Sequence, residues 1–290
     1  MINKEIGYIR LSNFSRGASK EVRTAVESLK KQGAKKLILD LRSNPGGLLD
    51  EAVNVADIFL DKDKLIVYDD GRTQHDEFVA RTPSLTKDMP IVVLVDRGSA
   101  SASEIVAGAI QDWEIGIILG DTTFGKGSVQ RVYPLGDTEA VKITTALYYT
   151  PSGRCIDKCD TTVYMLRNPT RNGEFYTLGK YRRKVIASGG IVPDITMKGE
   201  LAKRITTKIR RKGLFLQYAA RYAHDHPSIE ELKSIEITDE IIKDFKDFLK
   251  EKGFEYNEKD FNDALDQIKQ RLEMAIMERL HGSAGEYPVM

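Results

Sequence analysis

Three serines stand at every second position in Gly98-Ser-Ala-Ser-Ala-Ser-Glu104, where a turn passes into an apolar helical stretch. Serine is a common helix cap, which accounts for one hydroxyl there but hardly for three, so one of them is a candidate nucleophile. A serine hydroxyl attacks a carbonyl only when a base takes its proton, and no histidine lies in this region except His75, in a polar segment. Lysine is the alternative base. Phe124-Gly-Lys-Gly127 holds Lys126 between two glycines shortly after a strand, a setting that either turns the amine inward and desolvates it or makes a plain surface turn. A third segment, Asp40-Leu-Arg-Ser-Asn-Pro-Gly-Gly47, offers backbone amides that approach an oxyanion without a Cβ in the way; a simple tight turn is the bland reading.

The elements that must hold these segments read as strand, glycine turn, helix, twice over. Val22, Ala25, Val26 and Leu29 recur at helical spacing behind Ser19, a plausible cap, and the run stops near Gly33. Lys36 to Leu41 is a short apolar strand, and Leu48 to Leu60 follows as a helix beyond the glycine turn. Ile91 to Val95 is a buried strand, Ala100 to Trp113 a helix, and Gly116 to Gly120 the next strand. The alternation predicts a layered α/β core with at least partly parallel strands, and Val129 to Tyr149, rich in β-branched and aromatic residues, extends it as sheet. From Cys155 to Gly189 the pattern dissolves into a polar excursion with weak order expected.

Composition narrows the classes. Of 290 residues, 44 are Lys or Arg and 43 are Asp or Glu, which excludes a dedicated polyanion binder, and no nucleic-acid partner is expected. Hydrophobic residues at 41% and aromatics at 8% fit a folded chain, and no stretch approaches the roughly 18 apolar residues of a membrane span. Met1 to Arg10 lacks the basic and apolar regions of a signal peptide, so export is not inferred from it. Cys155 and Cys159 are four apart and share no ligand spacing with His75, His224, His226 or His281, so no metal or cofactor is expected. Residues 201–290 carry 33 charged side chains, against 54 in the 200 before them, and keep helical stripes: Ile241, Phe245, Phe248 and Leu249, then Phe261, Leu265, Ile268, Leu272, Ile276 and Leu280. The expected division is a core over 1–200 and a helical region over 201–290, the second stripe covered either within the chain or by a second copy in a homodimer. The basic cluster Lys203, Arg204, Lys208, Arg210, Arg211 and Lys212 reads as a solvated helix face, with a substrate carboxylate or an acidic lipid as the alternative.

Together the three segments above, with Tyr149-Thr-Pro-Ser-Gly-Arg154 and Gly190-Ile-Val-Pro-Asp194, resemble in type and order the core motifs of the carboxy-terminal processing proteases, or tail-specific proteases, serine peptidases with a Ser/Lys dyad. The resemblance covers about residues 5 to 200. It implies a crotonase-like or Clp-protease-like α/β core. It also implies Ser101 as the nucleophile, 25 positions before Lys126, with Lys126 as the base and Gln130, four residues later, orienting the amine. The oxyanion would be held by the amides of Ala102 and of Gly46 or Gly47, and Ser99 and Ser103 would cap or pack. The family places a PDZ domain ahead of this core, which here begins within ten residues of Met1. The expected function is endoproteolysis near protein C-termini, on peptides bound as extended strands, in the periplasm or cell envelope. A catalytically silent scaffold of the same fold is the alternative, and a crotonase-type acyl-CoA enzyme, which needs neither Lys126 nor the serine run, is a third class.

Overall fold

The computed structural model describes residues 1–2, 5–136, 138–158, 174–197, 203–226 and 235–281. Two compact units divide the chain, residues 1–199 and 200–290.

The first unit is α/β. Its central sheet has the order β1-β2-β5-β6-β11, formed by β1 (Ile6–Arg10), β2 (Lys36–Asp40), β5 (Ile91–Val95), β6 (Gly116–Gly120) and β11 (Ile195–Thr196), all parallel. Parallel strands covered on both faces need near-continuous apolar runs, and Leu37, Leu39, Ile91, Val93 and Ile118 are each 2% exposed or less. Helices α1 (Ala18–Lys31), α2 (Leu49–Phe59) and α3 (Ala102–Asp112) follow β1, β2 and β5. All eleven residues of α3 are buried, so it is the central helix of the unit. Ser19 is not the cap of α1. The helix begins behind Gly17, and Glu51 on α2 accepts from the amides of Gly17 (2.7 Å) and Ser19 (2.8 Å), supplying from another element what a local hydroxyl would have supplied.

A second, antiparallel sheet has the order β4-β3-β8-β7, from β3 (Leu65–Gly71), β4 (His75–Val79), β7 (Ser128–Pro134) and β8 (Ala140–Tyr149). The β3–β4 hairpin has no counterpart in the sequence reading. Its outer strand His75-Asp-Glu-Phe-Val79 is largely exposed and polar, so it carries no alternation. Of the Cys155–Gly189 excursion, residues 159–173, with Cys159, lie outside the described residues. Cys155 is buried, and the later part folds as a small hairpin of β9 (Phe175–Tyr176) and β10 (Lys184–Val185).

The second unit is helical: α4 (Arg204–Arg211), α5 (Leu214–Asp225), α6 (Asp239–Glu251), α7 (Glu258–Asn262) and α8 (Leu265–His281). Both stripes enter one apolar cluster in which Phe245, Phe261, Ile268, Leu272 and Ile276 are fully buried with Tyr218 of α5. The α8 stripe is therefore covered inside its own unit.

Candidate active site

Ser101 sits one residue ahead of α3 with φ 55° and ψ −111°, a positive φ rarely taken by a side-chain-bearing residue. The surrounding packing holds the turn. A Cβ added to Gly46, itself at φ 95°, would meet Ala100 O at 2.6 Å, Ser101 Cβ at 2.8 Å and Ala102 N at 2.9 Å, so only glycine lets the Asp40–Gly47 turn lie against the serine. The flanking serines take structural duties. Ser99 Oγ donates to Leu41 O (2.8 Å) and Ser103 Oγ to Asn44 O (3.0 Å), both in the interior. Of the three, Ser101 lines a cavity.

That cavity, of about 200 Å³, is lined by Ser101, Lys126 and Gln130, with Gly47 and Ala102 beside them, an apolar wall including Leu49, Ile105, Val129 and Tyr148, and Lys142 and Ser128. Burial and the nearby carboxylates of Asp69 and Asp50 push the Tyr148 phenol up to about 12, so it stays a neutral donor at neutral pH. No carboxylate and no histidine lines the cavity; His75 is exposed on β4. Two larger clefts of about 480 Å³ lie in the helical unit and contain no serine and base pair among their lining residues.

Lys126 is exposed, not turned inward. Its flanking glycines serve the backbone: a Cβ on Gly125 would meet Lys158 Cγ at 2.6 Å, and one on Gly127 would meet Asp157 N at 2.5 Å. The loop is pinned through its glycines, which leaves the lysine side chain at the cavity. No hydrogen bond joins Ser101 and Lys126 among the described residues. Gln130 is exposed on β7 and faces the same space. The hairpin register bears on this. Val129 opposes Ala146 and Gln130 opposes Thr144, so Thr145 is an extra residue on β8, a β-bulge. Because Gln130 faces Thr144 and Val132 faces Lys142, the bulge sets Lys142 on the face of Gln130; a regular ladder with Thr145 paired would put Lys142 on the face of Arg131 instead.

Of the two glycine amides, that of Gly46 is taken, donating to Asn44 Oδ1 at 2.9 Å. The amides of Gly47 and of Ala102, the first of α3, make no described hydrogen bond, and both residues line the cavity.

One residue that sequence reasoning passed over ties the site together. Glu104 is fully buried and accepts four hydrogen bonds: Oε1 from Thr123 Oγ1 (2.6 Å) and Gly125 N (2.7 Å), Oε2 from Ser101 N (2.8 Å) and Lys126 N (2.9 Å). Burial pushes its carboxyl above the usual range, and the four donors pull it back only in part. Its signal was a glutamate three residues after a serine at a helix start, which is a capping-box spacing. The other motifs converge on the same helix. Thr123 Oγ1 accepts from Ile191 N (2.7 Å), the buried Arg154 pairs with the buried Asp112 at the far end of α3, and Asp194 accepts from Gln111 (3.1 Å) and from Ile118 N (2.8 Å). In the glycine turn, burial alone would raise Asp40, but hydrogen bonds from Arg42 and Tyr8 outweigh it and hold its carboxyl below the ordinary range.

Comparison with known proteins bears on the family of the chain. A model of peptidase family S41 matches residues 5–163, and one described as a probable PDZ-protease, C-terminal helical domain, matches residues 205–261. A carboxy-terminal-processing protease of Bartonella bacilliformis is 48% identical over 161 residues, 53% of this chain and 37% of that protein. One from Bacillus subtilis is 40% identical over 158 residues, 54% of this chain and 34% of that protein. The chain thus spans about a third of the length of the curated relatives it matches. The solved photosystem II D1 C-terminal processing protease shares 34% identity at a TM-score of 0.54, covering 68% of this chain and 43% of its own. With more than half of its residues inside the family model, the chain belongs to peptidase family S41.

Proposed function

We propose that the first unit is the catalytic core of a serine peptidase that cleaves proteins near their C-termini by a Ser/Lys mechanism. The observation that carries this reading is that Ser101, Lys126 and Gln130, from two segments distant in sequence, line one cavity together with Gly47 and Ala102, whose amides make no described hydrogen bond. Ser101 Oγ attacks the scissile carbonyl, Lys126 takes its proton and passes it to the leaving amine, and Gln130 orients the lysine amine without adding charge. The amides of Ala102 and Gly47 hold the oxyanion, with Gly47 preferred over Gly46 because the latter is engaged by Asn44. An amine acts as a base only when neutral, and since Lys126 is exposed, the water around it is displaced by the substrate filling the cavity. The substrate is an extended peptide paired to a sheet edge, and β7 is such an edge, carrying Gln130. Family resemblance supports the periplasm or cell envelope as the site of this work.

Cleavage of a tagged peptide by the purified chain tests the assignment. Ser101→Ala and Lys126→Arg are each expected to lower kcat by about a thousandfold or more with the fold retained, the arginine because guanidinium stays protonated. Wild-type turnover by either variant refutes the dyad. A wild-type chain that binds peptides but cleaves none favours the silent scaffold.

A further inference from the structure

Between Glu200 and Asp225 the chain carries seven lysines and arginines and no acid, whereas residues 225–290 carry nine cations and seventeen acids. Arg221 is neutralised by Asp244 and Glu251. The other six, Lys203, Arg204, Lys208, Arg210, Arg211 and Lys212, are all exposed, and none forms an ion pair among the described residues. Elsewhere in the unit Lys246, Lys250 and Lys269 do have carboxylate partners. Lys243, Lys252 and Lys259 have no described ion pair but stand among the seventeen acids, so the excess positive charge is concentrated on one segment.

Helix geometry arranges it. α4 buries Ile205, Thr206 and Ile209, so Arg204, Lys208 and Arg211, spaced i, i+4, i+7, form a row on the opposite side. Just past the Gly213 link, α5 turns Leu214, Phe215, Tyr218 and Ala219 inward but leaves Leu216 58% exposed. A row of unpaired cations with an exposed leucine beyond it is the chemistry of a helix lying at an interface. It has no stacking aromatics of the kind that bind single-stranded nucleic acid. Among the described residues no helix is long and apolar enough to cross a membrane, so the contact is peripheral.

We propose that the α4 face docks on an anionic phospholipid surface, with Leu216 entering the headgroup layer. Juxtaposed Lys and Arg are drawn to such a surface by its negative potential, which decays within a Debye length and is therefore sensitive to salt. The proposal is independent of the peptidase reading and is tested without proteolysis.

Co-sedimentation of the full chain with vesicles decides it. The chain is expected to pellet with phosphatidylglycerol-rich vesicles at low salt, to be released by added salt, and to stay in solution with pure phosphatidylcholine. Lys208→Gln combined with Arg211→Gln is expected to weaken anionic-vesicle binding roughly tenfold or more, and Leu216→Ser to weaken it less while leaving the salt dependence intact. These side chains are exposed, so unchanged circular dichroism is expected; if the glutamine pair nonetheless unfolds, Arg204→Gln alone serves, with an expected weakening of roughly fivefold. Equal binding to both vesicle types, no binding to either, or full binding by a folded glutamine variant overturns the proposal. So does polyglutamate competing as well as the vesicles do, which would point to an acidic protein instead.

Discussion

At the scale of single residues, the informative side chain is Glu104. Its two oxygens face four donors and no acceptor, so it is suited to a carboxylate and to nothing isosteric. Glu104→Gln turns one oxygen into an amide NH2 pointed at two donors, and the unmet hydrogen bonds inside α3's first turn are expected to destabilise the first unit by about 2 kcal/mol in urea unfolding. Peptide cleavage should fall with it, since the same oxygen anchors the backbone of both Ser101 and Lys126; a variant of wild-type stability and activity would contradict the clamp. The turns that carry Ser101 and Lys126 were legible in sequence because glycine and serine spacing marks turns at strand ends, while the choice of Ser101 among three serines came from the family resemblance. Glu104 was not, because a buried acid cannot be told from an ordinary capping glutamate until its other three donors arrive from distant segments. For a related reason, sequence left open whether the lysine turned inward: glycines flanking a residue signal close backbone packing, and that packing belongs to the glycines.

At the scale of elements, the bulge at Thr145 is the device to test. Inserting one alanine between Val129 and Gln130 gives Thr145 a partner and flips Gln130 and Lys142 together to the other face, because side chains alternate along a strand. Cleavage should drop about a hundredfold, as for a catalytic group moved out of reach. Deleting Thr145 removes the bulge yet keeps Gln130 opposite Thr144, so it should retain far more activity. If both variants behave alike, the face of Gln130 is not what matters. β2, β5, β6 and α1 to α3 were readable as runs and stripes from sequence alone, whereas β11, two residues long, was too short to leave a pattern. The β3–β4 hairpin was not, because an exposed polar edge strand buries too little to leave a pattern.

At the scale of the whole molecule, the helical unit closes over its own stripe. Leu272→Asp places an unpaired charge among Phe245, Phe261, Ile268 and Ile276, and loss of helical circular dichroism is expected, whereas dissociation of a dimer into folded monomers would mean that the face is shared between copies. Self-association through these helices would have to use their other faces. In the first unit, α3 is enclosed along all eleven residues, its start clamped by Glu104 and its end by the Asp112–Arg154 pair, while Lys126 and Gln130 reach the cavity from exposed positions. The two halves of the proposed dyad therefore differ in mobility. Shifting the nucleophile means unpacking the middle of the unit; shifting the base means rotating a solvated side chain. Whatever turns such an enzyme on or off at small energetic cost acts on the lysine's side of the cleft, and the serine serves as its fixed point of reference.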